Sequence, residues 1–319
     1  MKIIFVGAFG EKSTNVAQAR GFEENGCEVT NFPYRDFRNK DEELTNLCKR
    51  TSPHLVFISK GNGLSANSVR ACNRICKTVL WYMDPLCVFN DNLIEKIKEV
   101  NYFVTGLEGI KSYGLKYNPK SVFIQQNADE KIFKPVDDIA YKWDATFIGK
   151  ILPPNKINEW NITWSDRRLW HEYLSSWDEI NYAHLSGWNE KHNEIVNKTK
   201  VNLNFSHTDR TGASARIYKI MSSAGFLMST PWYNMEKTFI DGEDFVSFYN
   251  PQDLKNKINY YLEHEEERNK IRMSGYKKVM ENYTPKHWAK RIIELVQCSS
   301  WKDTSRRIIR DRKRWSPRN

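Results

Sequence analysis

Short apolar runs of strand length alternate with amphipathic stretches of helical period over the first 136 residues. The apolar runs predict strands over Lys2–Gly7, Cys27–Phe32, His54–Ser59, Lys77–Tyr82, Asn101–Thr105 and Ser121–Gln125. Helices are predicted between them, from Ser13 or Thr14 to Glu24, over Asp41–Arg50 and over Ser65–Cys76. Strands that alternate with helices are typical of a parallel α/β sheet, so we assign residues 1–136 to one α/β domain.

The same alternation resumes at Trp143 and predicts a second α/β domain over residues 137–285. Its main strands are predicted over Trp143–Gly149, Ala183–Gly187, Val201–Phe205 and Phe226–Met228. A helix begins after Ser214 and is expected to end at Gly225, since glycine commonly ends helices. An amphipathic helix within residues 286–301 and a tail over residues 302–319 complete the chain.

The composition excludes several classes of protein. Apolar residues make up 40% of the 319 residues and aromatic residues 13%, which is typical of a globular chain and not of a disordered one. The sequence has no apolar run of membrane-spanning length and no signal-peptide pattern, so we expect a cytoplasmic protein. The six cysteines follow no disulfide framework and are interpreted as reduced thiols. Cys72 and Cys76 share a helical face without a second ligand pair, so we expect core residues there and no metal site.

The charge is positive and unevenly distributed. Lys and Arg number 49 against 39 Asp and Glu, a net charge of +10. Residues 302–319 carry eight basic and two acidic side chains, which places +6 of that excess in the tail. Such a tail favours a polyanion as partner, but a solvated, solubilising segment has the same composition.

The segment from Ser214 to Thr230 carries the first candidate for chemistry. Ile217, Ile220 and Met221 share one helical face, which places Arg216 in the first turn of the helix. Free backbone N–H groups and the helix dipole favour an anion there, and a guanidinium can clamp a phosphate with two parallel hydrogen bonds. The alternative is a solvated surface arginine beside a core helix.

The region around and after Arg216 resembles the CgeB-like (spore-maturation) glycosyltransferases. In that family an Arg-x-Phe-Glu helix leads to an Ala-Cys-Gly-Gly turn and an apolar strand, and a Gly-Glu turn and further helices follow. The matching segments are Arg216–Lys219, Ser223–Phe226, Gly242–Glu243, Asp253–Leu254, Tyr260–Leu262, Glu267–Arg268, Gly275–Val279 and Tyr283–Thr284. The chain is similar to the family over nearly its whole length, and most specifically from Gly187 to Thr284.

The resemblance implies the GT-B fold, in which two Rossmann-like domains face a cleft and the last helix, within 286–301, crosses back to the first domain. It also implies a glycosyltransferase that uses a nucleotide sugar, with a UDP-sugar as first choice, and needs no metal or other cofactor. It assigns these residues to the nucleotide sugar: Gly149, Lys150, Gly187, Trp188, Ser214, Arg216 and Lys219. Arg216, helped by Lys150, would neutralise the diphosphate as charge develops on the leaving group.

Lys219 departs from the family pattern, which has a glutamate at this position to hold the ribose hydroxyls. Lysine cannot accept a hydrogen bond. Either another residue contacts the ribose, or Lys219 is a second phosphate ligand. The substitution also keeps open a second class of function, a polyanion-binding protein of the same fold with an inactive site.

Asp84 follows the predicted strand Lys77–Tyr82 in a Trp-Tyr-Met-Asp-Pro segment. A carboxylate at the carboxyl end of a parallel strand is well placed for chemistry. The CgeB-like family has Trp-x-x-Asp-Pro here, and the phage DNA β-glucosyltransferases have an aspartate base in a similar setting. The resemblance implies that Asp84 deprotonates the acceptor hydroxyl, which leads to inversion at the anomeric carbon. The alternative is a capping role for the helix that begins near Asn90.

Candidate contacts of the acceptor lie in two parts of the chain. In GT-B enzymes the turn after the first strand faces the cleft, so Gly10 and Glu11 are candidate acceptor contacts. An insertion at 151–166 adds Trp160 and Trp164 near the same place. Basic charge together with aromatic side chains fits a hydroxymethylated pyrimidine in DNA, and a surface polysaccharide or protein glycan is the alternative acceptor. The sequence does not determine the oligomeric state.

Overall fold

The protein has two parallel β-sheets, each flanked by helices, in a computed structural model that describes residues 1–11, 13–85, 89–152, 166–206 and 211–298. The first sheet has six strands in the order β2-β1-β3-β4-β5-β6. They are Lys2–Gly7 (β1), Glu28–Pro33 (β2), Leu55–Ser59 (β3), Lys77–Tyr82 (β4), Tyr102–Thr105 (β5) and Ser121–Phe123 (β6). The helices between them are Asn15–Glu23 (α1), Lys40–Thr51 (α2), Ala66–Asn73 (α3), Asp91–Glu99 (α4) and Glu108–Gly114 (α5).

The second sheet has five strands in the order β11-β10-β9-β7-β8. They are Trp143–Ile148 (β7), Tyr182–Leu185 (β8), Thr199–Asn204 (β9), Leu227–Ser229 (β10) and Val246–Ser247 (β11). The helices of this half are Asp166–Ser175 (α6), Asn189–Asn197 (α7), Ala215–Ser222 (α8), Pro251–Glu263 (α9) and Glu265–Asn282 (α10). The last described helix, Pro285–Gln297 (α11), begins at a proline and is capped by Thr284, whose hydroxyl accepts from the His287 N–H.

The central strands are apolar on both faces because helices cover both sides of each sheet. All five residues of β3 are buried, whereas the edge strand β2 has mostly partly exposed or exposed positions. Continuous apolar runs are characteristic of parallel sheets with both faces covered. Every strand pair is parallel, as the alternation of strands and helices predicted.

Helix α11 returns to the first sheet, as predicted. Its Trp288 is fully buried and lies edge-on to Phe22, Phe57 and Trp81 at centroid distances of 5.6, 5.3 and 5.4 Å. Aromatic rings in this arrangement gain from their quadrupoles in addition to their buried area. The carboxyl-terminal helix therefore belongs to the core of the amino-terminal sheet and joins the two halves of the molecule.

The end of α8 differs from the prediction. The helix ends at Ser222, and Ala224, not Gly225, takes the left-handed conformation with φ of 50°. A Cβ at Gly225 would lie 2.5 Å from Cγ1 of Val196, so this glycine is required by packing and not by its backbone angles. The following strand accordingly begins at Leu227, one residue later than predicted.

None of the helices in the described part of the chain is both long and apolar enough to span a membrane.

Candidate active site

Each sheet has a point where the strand order reverses, and the candidate residues lie at these two points. In the first sheet the reversal falls between β1 and β3, and in the second between β7 and β9. Ligands of open parallel sheets bind outside the carboxyl ends of the strands at such a switch point. Arg216 and Gly149 lie at the second switch point, and Glu11 and Lys60 lie at the first.

The two switch points face each other across a cleft. The Asn189 side-chain amide donates to the Glu11 carbonyl at 2.6 Å, which joins the start of α7 to the loop after β1. The Gly109 N–H donates to the Thr211 carbonyl at 2.8 Å, which joins α5 to the loop that precedes α8. Both contacts link segments beyond the carboxyl ends of the strands, so those ends form the walls of the cleft.

Asn204 holds Arg216 in position. Asn204 is the last residue of β9, is fully buried, and its Oδ1 accepts from Arg216 Nη1 at 2.8 Å and from Ser214 Oγ at 3.0 Å. Its amide donates to Ser229 Oγ at 2.9 Å, which fixes the orientation of the carboxamide. The hydroxyl of Ser214, a predicted contact of the nucleotide sugar, is therefore turned towards Asn204 in this structure.

Gly149 makes room for the Arg216 guanidinium. A Cβ at Gly149 would lie 2.5 Å from Arg216 Nη2, so Arg216 occupies the space that we had expected a ligand to use. The guanidinium carbon lies 4.8 Å from the ring centroid of Phe147, and that of Arg167 lies 5.8 Å from the same ring. Two arginines thus share one aromatic ring at the end of β7.

Positive charge accumulates here. Burial, and then the charge of Arg167, lowers the pKa of Arg216 well below its ordinary value. Burial lowers the pKa of Arg167 to about 10, and burial followed by the charge of Arg216 lowers that of Lys219 to about 8. Within the described ranges, neither Arg216 nor Lys219 forms an ion pair with a carboxylate. Arg216, Arg167 and Lys219, hereafter the Arg216 cluster, form a site that favours an anion.

Lys219 extends the cluster into a cavity between the two halves. It is half-buried, and its ammonium lies 5.1 Å from the ring centroid of Phe133. The cavity is also lined by Thr14 of the first half and by Asn127 and Asn189. Among the described residues the Lys219 ammonium has no hydrogen-bond partner, so it is available to a ligand.

His192 adds a neutral polar group behind Phe133. Burial, and then the charges of Lys219 and Arg216, lowers the pKa of His192 to about 3, so its imidazole is uncharged near neutral pH. Its ring lies edge-on to Phe133 at 5.4 Å, and its Nε2 is buried without a hydrogen-bond partner in the part of the chain described. A neutral imidazole adds no further positive charge to the cluster.

Asp84 lies on the opposite wall, two residues after β4, and is paired with Lys60. The Lys60 ammonium donates to Asp84 Oδ2 at 2.6 Å, and both side chains are about one-third exposed, at 32% and 34%. The capping role that was the alternative for Asp84 belongs to Asn90, whose side chain accepts from the Leu93 N–H at the start of α4. Asp84 is therefore a partly exposed carboxylate on the cleft wall.

A family comparison matches this arrangement. Residues 130–294, just over half of the chain, match the family described as glycosyl transferase-like. The chain belongs to the glycosyl transferase-like family. The match includes β7, α8 and the whole Arg216 cluster. No curated protein matches the sequence.

Solved structures with the same fold include known glycosyltransferases. The structure of Anabaena HepE in complex with UDP and glucose superposes with a TM-score of 0.63 at 9% identity, over 92% of this chain and 98% of that one. A glycosyltransferase from Rickettsia africae gives 0.61 at 10% identity over 93% and 97%, and sucrose-phosphate synthase from Thermosynechococcus elongatus gives 0.63 at 9% over 97% and 99%. The GT-B fold and a glycosyltransferase family, both predicted from the sequence, are confirmed.

The other predicted residues of this glycosyltransferase-family protein lie around the same cleft. Lys150 is exposed directly after Gly149, and Trp188 is 60% exposed at the start of α7. Gly187 lies against the backbone of His192, and a Cβ there would be only 3.1 Å from the His192 nitrogen, a tight contact. Gly10 is exposed, with open space around it. Trp160, Trp164 and the basic tail lie outside the described residues.

Four residues with roles in this geometry were not predicted as site residues: Asn204, Arg167, Lys60 and His192. The sequence contains a signal for Asn204, since an asparagine inside a buried strand needs a hydrogen-bond partner. Lys60 had a weaker one, as a lysine directly after an apolar strand and before Gly61. In the described part of the chain no group of three or more His, Cys, Asp or Glu side chains is arranged to hold a metal ion.

Proposed function

We propose that this protein transfers a sugar from a nucleoside-diphosphate sugar, with a UDP-sugar as the first candidate, to an acceptor hydroxyl. The observation that carries the proposal is the Arg216 cluster, which concentrates positive charge at a switch point, opposite a carboxylate on the other wall. An anion at this site would offset the burial and the mutual repulsion that together lower the pKa of Arg216 and of Lys219. The UDP-bound and UDP-glucose-bound structures of HepE, which shares the fold, support the choice of nucleotide.

In this proposal Arg216 and Lys219 bind the diphosphate, with Lys150 reaching it from the end of β7. As the glycosidic bond to the diphosphate breaks, negative charge grows on the leaving oxygen, and preorganised cations stabilise it. Lys219 is then a phosphate ligand. This is the role suggested by a lysine at the position where the CgeB-like family has a glutamate. Gly187 and Trp188, at the end of β8, are the candidates for contact with the base.

Asp84 would act from the other wall. Its carboxylate takes the proton of the acceptor hydroxyl as that oxygen bonds to the anomeric carbon, and the diphosphate leaves with the bonding electron pair. Attack from the face opposite the leaving group inverts the anomeric configuration. Glu11 and Gly10, on the loop after β1, would contact the acceptor or the sugar.

Donor hydrolysis tests this proposal without knowledge of the acceptor, because water replaces the acceptor hydroxyl. Mass spectrometry of UDP-, GDP- and dTDP-sugars incubated with the protein should show release of the nucleoside diphosphate, fastest in the UDP series. An Arg70→Ala variant, which removes an exposed guanidinium paired with Glu99, is the matched control for Arg216→Ala. UDP binding without turnover of any donor would instead favour a binding protein with an inactive site.

For the acceptor we infer a polyanion, and the specific candidate is a hydroxymethylated pyrimidine in duplex DNA. The net charge of +10 supports it, together with the eight basic residues at 302–319. The test is DNA binding as a function of salt, since several phosphate contacts require a steep loss of affinity between about 50 and 200 mM. Removal of residues 302–319 should flatten that dependence. Donor hydrolysis without DNA binding at low salt would transfer the proposal to a glycan acceptor.

A further inference from the structure

The turn after β3 has an uncommon backbone conformation. Lys60 and Gly61 have φ values of 61° and 58°, both in the left-handed region. Glycine adopts this region readily, but lysine does so at a cost, and such residues concentrate where function requires a fixed geometry. The Lys60 N–H still donates to the Trp81 carbonyl at 2.9 Å, which keeps the turn in register with β4.

A second lysine supports this turn from below. Lys96 of α4 is 2% exposed, and its ammonium donates to the Gly61 carbonyl at 2.6 Å and to the Lys60 carbonyl at 3.3 Å. Burial lowers the pKa of Lys96 to about 8, an effect that the charge of Asp41 partly offsets. Within the described residues Lys96 forms no ion pair, so its buried charge is directed at these two carbonyls.

The supported turn directs the Lys60 ammonium at one oxygen of Asp84. The 2.6 Å contact is with Oδ2, whereas no described residue donates a hydrogen bond to Oδ1. A carboxylate held by one oxygen keeps the other free to accept a proton in a defined direction. Glycine at position 61 is part of this arrangement, since a Cβ there would lie 2.6 Å from Cγ2 of Ile58.

We propose that Lys60 is a positioning residue for Asp84 and that Lys96 holds Lys60 in place, an inference that rests on the function proposed above. During transfer the acceptor proton passes to Asp84 Oδ1 while Lys60 remains protonated at Oδ2. The neutral carboxyl that results no longer balances the Lys60 charge. Lys60 therefore promotes loss of that proton to solvent and restores the ionised base for the next turnover.

A purely structural ion pair is the alternative to this role. Partly exposed pairs contribute little to stability, so such a pair would be dispensable for the reaction. The two hypotheses differ in whether the effect of Lys60 depends on Asp84. A double-mutant cycle measures that dependence, because residues that act as a unit are strongly non-additive.

The experiment measures kcat and KM for donor hydrolysis in Lys60→Met, Asp84→Asn, the double variant and Lys60→Arg. We expect Lys60→Met to lower kcat by about 10- to 100-fold with little change in donor KM, because the base is misoriented. Lys60→Arg should recover part of kcat, since a guanidinium can still donate to Oδ2. The double variant should be no slower than Asp84→Asn alone.

Lys77→Met is the matched control. Lys77 begins β4, at the opposite end from Asp84, and its ammonium also donates to a backbone carbonyl, that of Val296 at 2.6 Å. Lys77→Met should keep the wild-type kcat, whereas Lys96→Met should lower kcat in the same manner as Lys60→Met. Thermal unfolding of each variant identifies any loss of kcat that comes only from loss of folded protein.

The outcomes separate this inference from the proposed function. Wild-type kcat in Lys60→Met, or a double variant that loses the product of both single effects, overturns the positioning role while Asp84 remains the base. Full activity in Asp84→Asn overturns the assignment of the base and the inference with it. Absence of donor hydrolysis by the wild type overturns the proposed function itself.

Discussion

The second sheet presents Arg216 and Lys219 to the cleft without a carboxylate partner among the described residues, whereas the first sheet presents Lys60 paired with Asp84 at 2.6 Å. Both pairs of residues lie beyond the carboxyl ends of parallel strands, at or next to the switch point of their sheet. Unpaired positive charge stabilises a bound anion and, in transfer, a leaving group that gains charge. The negative charge of a paired carboxylate is balanced by its cation before any ligand arrives. The carboxylate can still accept a proton from a hydroxyl.

The difference shows how two similar sheets can take different parts in one reaction. The residues that support these cations also differ in charge. Asn204, a neutral amide, orients Arg216, whereas Lys96, a buried cation, supports the backbone at Lys60. A carboxylate in place of Asn204 would have neutralised the guanidinium and weakened its attraction for an anion. The amide fixes the position of Arg216 and leaves its charge available.

Removal of the carboxylate should give the largest effect. Asp84→Asn keeps the shape of the side chain and loses its basicity, so kcat should fall by about 100- to 10,000-fold. Donor binding, measured by calorimetry, should remain at the wild-type level because the Arg216 cluster is untouched. Asp91→Asn, an exposed carboxylate in the first turn of α4, is the control. If Asp84→Asn keeps most of its activity, Glu11 becomes the next candidate for the base.

Removal of Arg216, the cation on the wall opposite Asp84, should have a different kinetic effect. Arg216→Ala should raise donor KM and lower kcat together, with a loss of about 2–4 kcal/mol in transition-state stabilisation. Steady-state kinetics of donor hydrolysis measure both constants, with Arg70→Ala as control. Near-wild-type kinetics in Arg216→Ala would remove this residue from the site and end the comparison between the two walls.

The fold could be predicted because it depends on patterns that the sequence displays directly. β1 and β4 were predicted with their observed bounds, Lys2–Gly7 and Lys77–Tyr82, since each is a largely apolar run that begins at a lysine. Helices α5 and α7 were not predicted. α5 contains two glycines, and the Asn189–Asn197 segment is almost entirely polar, so neither displays an apolar stripe.

The site could be predicted only in part, for a physical reason. Arg216 and Asp84 lie at helix and strand ends, which the sequence reveals. The partners Asn204 and Lys60 depend on which strands become neighbours, and strand order is a property of the tertiary structure. Gly149 was predicted as a contact of the nucleotide sugar, but in this structure the group that lies against it is the guanidinium of Arg216, from a distant part of the chain.

The next largest effect should be a pH dependence of donor binding at the wall that carries the Arg216 cluster. The pKa of Lys219 is lowered to about 8, chiefly by burial, so the free site loses this charge as the pH rises through 8. Binding of the diphosphate requires the charged form, so the donor Kd should be constant below pH 8 and rise by about tenfold per pH unit above it. Calorimetry with a UDP-sugar between pH 7 and 9 measures this. Lys219→Met should bind more weakly and independently of pH.

Lys198→Met is the control for that profile, because Lys198 pairs with Glu194 on α7 and should leave the pH dependence intact. His192 and Arg216 also face Lys219. The imidazole of His192 stays neutral over this range, because its pKa is lowered to about 3. Persistence of the same pH dependence in Lys219→Met would assign the titration to another group and leave Arg216 as the main diphosphate ligand.

The smallest expected effect comes from a single methyl group. Gly149→Ala would place a Cβ 2.5 Å from Arg216 Nη2 and 2.7 Å from the Phe147 ring, so the guanidinium must move away from its position over that ring. We expect kcat/KM to fall by about tenfold, less than in Arg216→Ala, because the displaced charge still reaches the cleft. The Gly149→Ala/Arg216→Ala double variant should have the same kcat/KM as Arg216→Ala alone.

Gly225→Ala is the control. Its Cβ would be equally crowded, but against Val196, so it should lower the melting temperature without a change in kcat/KM of the folded enzyme. Additive losses in the double variant would mean that Gly149 acts on the ligand directly and not through Arg216.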